Sequence, residues 1–301
     1  MSLVQFQFES QYLGINTNVN VILPDKPRDQ EPAQFYGSGK KYRVLWLLHG
    51  TFGDYSDWLR KSNIELYACE RDLIVVMPSG MNANYENWPN FTLGYMMYSY
   101  LFDELMPLIY NWFPASGDPK DNFIAGLSMG GRGTLRYFLS HPEKFAGAAT
   151  MSFVPVDYDL PENAEKLDRI AAADRAMLQS HACTSEGELN NWSRDLRQRN
   201  DMDVWGGKDA FLASKANLWP QFEAFAKMEN PPKLFVCCGE DDPLFFTNGN
   251  YEKFLAYLDK LGIAYGHSEG PSAHEWRVWE RDIQLVLDYF GIADEKAGNA
   301  F

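Results

Sequence analysis

The sequence predicts an α/β fold: a mostly parallel central sheet with helices on both faces and an insertion after the sixth strand. Short, almost wholly apolar runs alternate with amphipathic stretches at helical spacing. One run, Phe123 to Ala125, ends in Gly126-Leu127-Ser128-Met129-Gly130 and passes directly into a helical pattern. The rhythm lapses once, between residues 155 and 232. A chain of 301 residues, 46% hydrophobic and 15% aromatic, can bury one large core, so a single domain over 1–301 is expected, with 155–232 as a cap-like insertion within it.

Val4 to Glu9 and Val19 to Leu23 alternate apolar and polar, which predicts two half-exposed antiparallel strands at the start. Asp25 to Lys41, with Pro24, Pro27 and Pro32, reads as a loop. Tyr42 to Leu48 is nearly all apolar and ends at His49-Gly50, as suits a strand covered on both faces. Ser56 is placed to cap a helix running to about Glu70, and Leu73 to Met77 is a further short strand stopped by Pro78.

Residues 80–95 form a loop rich in Asn and aromatics. The helix after it sets Leu101, Leu105, Leu108, Ile109 and Trp112 on one face, and Pro107 should bend it or mark a later start. Beyond the serine motif, a helix carrying Leu135, Phe138 and Leu139 stops near His141-Pro142, and Ala146 to Met151 is the next strand. Short helical patterns such as Ile170 to Gln179, and Trp192, Trp205 and Trp219, fall in the insertion, read as packing over the sheet's active edge. The rhythm resumes with a strand at Lys233 to Cys238, a helix at Tyr251 to Leu261, a strand near Ala264 to Ser268, and a final helix placing Trp276, Trp279, Ile283, Val286, Leu287 and Phe290 on one face.

Lys and Arg number 27 against 41 Asp and Glu, a net charge of −14, which argues against nucleic acid or an anionic membrane as partner. No run is long enough to cross a bilayer and the N-terminus does not read as a secretion signal, so a cytoplasmic protein is expected; self-association is left open. Cys69, Cys183, Cys237 and Cys238 lack metal-ligand spacing and read as reduced structural thiols, with Cys237 and Cys238 on opposite faces of their strand. Neither metal nor cofactor is expected.

Gly-x-Ser-x-Gly between strand and helix is the sharp turn that lifts a serine hydroxyl out of a sheet, and side chains at Gly126 or Gly130 would collide with the neighbouring strand and helix. A serine needs a base within hydrogen-bond reach and a carboxylate to orient that base. Gly239-Glu240-Asp241-Asp242-Pro243 follows the late strand, and Asp242 is the chosen acid with Asp241 as alternative. Of the five histidines, His274 lies on the loop before the last helix, where the base belongs. The oxyanion of a tetrahedral intermediate needs N–H donors: Met129, next after the serine, and Thr51 in His49-Gly50-Thr51-Phe52-Gly53-Asp54, with Phe52 as alternative.

Leu47-Leu48-His49-Gly50-Thr51-Phe52-Gly53-Asp54 with Trp58, Asp103-Glu104-Leu105-Met106-Pro107, Phe113-Pro114, Gly126-Leu127-Ser128-Met129-Gly130-Gly131 and His274-Glu275-Trp276 together resemble the esterase D-like branch of the α/β hydrolases. That branch holds tributyrin-type esterases, S-formylglutathione hydrolases and feruloyl esterases, and more distantly acetyl xylan esterases and mycolyltransferases. The resemblance runs from about Leu3 to Phe290 and implies the α/β-hydrolase fold and a serine carboxylesterase with Ser128, Asp242 and His274 as its triad. Val204-Trp205-Gly206-Gly207 matches the branch only loosely.

The expected substrate is a small ester with a short acyl or hydroxycinnamoyl-type aromatic group. Tyr85, Trp88, Phe91 and Tyr95 with Trp192, Trp205 and Trp219 are candidates to line its pocket, Phe52, Trp88 and Trp205 foremost; the alternative is that these aromatics only pack the insertion onto the sheet. A thioester hydrolase of the S-formylglutathione type or an acyltransferase would use the same triad. A silent scaffold is the reading from another class.

Overall fold

A computed structural model of the chain describes residues 2–87, 95–168 and 207–292. Eight strands form one sheet: β1 (Ser2–Ser10), β2 (Ile15–Leu23), β3 (Val44–Leu48), β4 (Ile74–Pro78), β5 (Asn122–Leu127), β6 (Gly147–Met151), β7 (Lys233–Gly239) and β8 (Gly266–Gly270). They lie in the order β1-β2-β4-β3-β5-β6-β7-β8. β1 and β2 pair antiparallel along their full length, β2 pairs antiparallel with β4, and every pair from β4 to β8 is parallel.

The central strands are apolar throughout because both faces are covered. Val44, Trp46, Leu48, Ile124, Ala148, Val236 and Cys238 face a core closed by the helices Met129–Ser140 and Asn250–Leu261. Leu45, Leu47, Phe123, Ala125, Ala149, Met151 and Cys237 face the other, closed by residues of Ile64–Glu70 and Trp276–Phe290. The period of two along a strand sends neighbouring Cys237 and Cys238 to opposite cores, and both thiols are free.

Four local expectations are revised. The 25–41 loop holds one helical turn, Pro32–Tyr36, which buries no residue. The helix expected from Ser56 to Glu70 is two, Asp57–Lys61 and Ile64–Glu70, and Ser56 does not cap it: its Oγ donates instead to Asp54 Oδ1 at 2.6 Å. Pro107 sits in the first turn of Met106–Trp112, preceded by a π-helical stretch, Tyr100–Leu105. A proline has no N–H to give and clashes with the carbonyl four residues back, and the wider π turn relieves both without ending the helix. Leu101, Leu105 and Ile109 are buried as expected, but Trp112 is 66% exposed, its ring resting 6.2 Å from Phe6 of the outer hairpin.

Two consequences of this architecture position the site. Parallel strands align their carboxyl ends, where loops from β3, β5, β7 and β8 converge. The alternation of strands breaks after β6, and the described parts of the intervening segment hold helices at 161–168, Lys208–Ala213 and Gln221–Phe225. Among the described residues no helix is long and apolar enough to cross a membrane.

Candidate active site

β5 ends at Leu127, and Ser128 follows at φ 52 and ψ −117, a conformation L-residues avoid. Its own N–H still donates to Met151 O at 2.8 Å, so the parallel ladder runs up to the turn itself. The turn is forced by contact. A Cβ on Gly130 would stand 2.5 Å from Leu48 O and 2.6 Å from His49 O, and one on Gly126 would meet the Gly130 backbone and lie 2.9 Å from Leu48 Cβ. These are the collisions expected of the motif's glycines.

β7 ends at Gly239, where a Cβ would run into Ser272 O. That contact draws the loop after β7 against the loop after β8: Glu240 N–H donates to Gly270 O at 2.9 Å and Asp241 N–H to Ser272 O at 3.1 Å. The stitching brings Asp242 under His274, with Asp242 Oδ2 2.7 Å from His274 Nδ1. Asp242 is fully buried, while Asp241 is exposed. Oδ1 of Asp242 accepts the N–H groups of Leu244 at 2.8 Å and Phe245 at 3.2 Å. Burial pushes the Asp242 carboxyl upward, but His274 and the Leu244 N–H outweigh it, and the group is held below the ordinary carboxylate range. The His274 ring packs edge-on against Trp279 at 5.2 Å, and Trp279 Nε1 donates to Ser152 Oγ at 3.0 Å.

Ser128 and His274 line one cavity of about 920 Å³ together with Gly50, Thr51, Phe52 and Met129. Met129 opens the helix Met129–Ser140, so its N–H has no partner within that helix. Phe52 N–H donates to Asn82 Oδ1 at 2.8 Å, which engages it away from the serine. Thr51, the other candidate for the second donor, lines the same cavity.

The aromatic residues expected around the site are rearranged. Tyr85 is buried in the core, with Gly80 and Gly133 giving its ring room, and its hydroxyl donates to His49 O at 3.1 Å. Trp219 stacks on Tyr257 at 4.2 Å, beside a separate cavity of about 340 Å³. Trp88, Phe91, Trp192 and Trp205 lie outside the described residues. Among the described residues the aromatic lining of the large cavity is Phe52, Phe153, Tyr158, Phe245, Trp276 and Trp279. Trp276 and Trp279 had a visible signal, two and five positions after His274, but helical periodicity explained them as core alone. Among the described residues no group of three or more His, Cys, Asp or Glu side chains is gathered to hold a metal.

A mostly parallel sheet, a serine held at positive φ between strand and helix, and a carboxylate and histidine on later strand-end loops define an α/β hydrolase. The family model described as "Putative esterase" matches residues 10–285, and the chain belongs to that family. It is a serine hydrolase, a carboxylesterase. The chain is 26% identical over 293 residues to an acetyl esterase of Caldicellulosiruptor saccharolyticus, a match covering 96% of this chain and 98% of that protein. Its fold is also that of FphF, a fluorophosphonate-binding serine hydrolase of Staphylococcus aureus (TM-score 0.71, 24% identity, 97% of this chain and 98% of that one). An S-formylglutathione hydrolase, FrmB, from the same organism is equally similar (TM-score 0.71, 24% identity, 97% and 99%).

Proposed function

We propose that the chain hydrolyses small carboxylic esters by two-step acyl transfer with Ser128 as nucleophile, His274 as base and Asp242 as the acid that orients it. The contact of 2.7 Å between the buried Asp242 Oδ2 and Nδ1 of His274, whose ring lines the cavity that Ser128 opens onto, carries this reading. An ionised Asp242 keeps the His274 proton on Nδ1 and leaves Nε2 bare, the tautomer that can take a proton from a serine hydroxyl. Ser128 Oγ then bonds to the ester carbonyl carbon as its proton passes to His274 Nε2. The oxygen of the tetrahedral intermediate is held by the N–H groups of Thr51 and Met129, and the alcohol departs with the proton from His274. Water, deprotonated in turn by His274, attacks the acyl-enzyme and releases the acid and the free serine.

The substrate reading is an ester with a short acyl or aromatic group. A cavity of about 920 Å³ with six aromatic side chains of the described residues in its wall supports it, as does the acetyl esterase similar to this chain. Tyr158 brings the 155–232 segment into that wall, and we assign substrate preference to this segment. Ser128→Ala removes the nucleophile without disturbing the fold, so hydrolysis of p-nitrophenyl acetate falls to background while the melting temperature holds. Turnover by the purified variant would refute the assignment. Acetyl, butyryl and feruloyl esters, with a glutathione thioester alongside, test the substrate: equal rates on the three esters remove the aromatic-wall argument, and a dominant thioester rate replaces the ester reading.

A further inference from the structure

His49 is fully engaged inside the protein although it carries no part of the acyl-transfer chemistry. It is 1% exposed, and both ring nitrogens are bonded to backbone. Nε2 lies 2.7 Å from Gly80 N, whose N–H can only donate, so Nε2 is the bare nitrogen and Nδ1 carries the proton. Nδ1–H then donates to Gly50 O at 2.7 Å. Burial pushes the His49 imidazole down, against the Gly50 carbonyl, Asp57 and Asp54, which favour the charged form, and with Lys61, which opposes it; the net direction keeps the ring neutral.

The Gly50 carbonyl belongs to the same rigid peptide unit as the Thr51 N–H. In a planar trans peptide the C=O and N–H point in opposite directions, so fixing one fixes the other. Gly50 O is held from two sides, by His49 Nδ1 and by the Gly53 N–H at 3.2 Å. We propose that His49 is a positioning residue that, through its Nδ1–H bond to Gly50 O, orients the Gly50–Thr51 peptide so that the Thr51 N–H is aimed at the developing oxyanion beside Ser128. Three contacts from the 80–85 segment brace the same loop: Gly80 N–H on His49 Nε2, Asn82 Oδ1 on the Phe52 N–H, and Tyr85 Oη on His49 O. Tyr85 in turn lies where a Cβ on Gly133 of the nucleophile's helix would be, so the two halves of the oxyanion site are packed through one ring.

The inference rests on the acyl-transfer reading of Ser128, and its test separates the two. An asparagine carries an amide N–H near the place of Nδ1, whereas a glutamine reaches toward Gly80 and abandons Gly50 O. His49→Gln is expected to lower kcat about 100-fold with KM changed less than about threefold, the pattern of an interaction made only in the transition state, and His49→Asn to recover at least about tenfold of that loss. Equal loss in the two variants, or a rise in KM at unchanged kcat, overturns the role of His49. Should both variants fail to fold, the ring nitrogen shifts of wild-type protein decide by NMR: a neutral His49 protonated on Nδ1 is required, and protonation on Nε2 overturns the proposal. Turnover surviving in Ser128→Ala would instead strike the acyl-transfer reading and leave the tautomer measurement standing.

Discussion

Asp242→Asn is a nearly isosteric change whose consequence can be worked from the hydrogen bonds around one carboxylate. Oδ1 accepts two backbone N–H groups, from Leu244 and Phe245, at 2.8 and 3.2 Å. An asparagine must keep its oxygen there, because an NH₂ group would confront two donors in a fully buried place. The amide nitrogen is then turned toward His274 Nδ1, where wild-type Oδ2 stands at 2.7 Å. Two donors cannot share that contact, so His274 moves its proton to Nε2 and can no longer accept one from Ser128. The cost of the wrong tautomer is about 10⁴ in kcat, or about 5 kcal/mol at 1.36 kcal/mol per tenfold. Steady-state hydrolysis of p-nitrophenyl acetate reads this directly, with a thermal melt to show that the fold persists. Asp241→Asn, in the neighbouring exposed position, should stay within about twofold of wild type, as surface changes usually do. A kcat for Asp242→Asn above a tenth of wild type, or a large loss in Asp241→Asn, would refute the reasoning.

Gly130→Ala sets a methyl group against two main-chain oxygens, Leu48 O at 2.5 Å and His49 O at 2.6 Å, which cannot retreat as a side-chain tip can. It should destabilise by about 1–3 kcal/mol or prevent folding; an unchanged denaturant midpoint would contradict the packing at the elbow. Asp282 is fully buried in the last helix, and burial raises its pKa despite Arg281, Cys237 and Ser268, which favour the charge. A carboxyl raised in the folded state penalises folding at pH above its folded pKa and is neutral in effect below its unfolded one. Asp282→Asn should therefore raise the melting temperature at pH 7 to 8, with the gain shrinking as pH falls into the carboxylate range; a gain independent of pH would point to packing instead.

The parallel strands and the elbow were legible because each rests on a local pattern: apolar runs covered on both faces, and two glycines whose absent side chains leave room for backbone. The order of serine, acid and histidine was legible for the same reason, since each lies at the end of a strand. What escaped depends on contacts between distant segments. Tyr85 looks like a pocket aromatic in sequence, and only the space left by Gly80 and Gly133 sends it into the core. Trp219 stacks on Tyr257, 38 positions away, and its hydropathy does not choose between that partner and a substrate. The helix before Trp112 has the right periodicity, but the ring overhangs the end of the core and stays exposed. Trp88 and Trp205, expected at the pocket, fall outside the described residues.

The central claim is that Ser128 is the nucleophile, and a fluorophosphonate probe tests it with least intervening inference. The protein is reacted with the probe, digested and mapped by mass spectrometry. One adduct on the peptide carrying Ser128, absent from Ser128→Ala and slowed in Asp242→Asn, is the predicted result. An adduct on another residue, or none on a folded protein, would contradict the account.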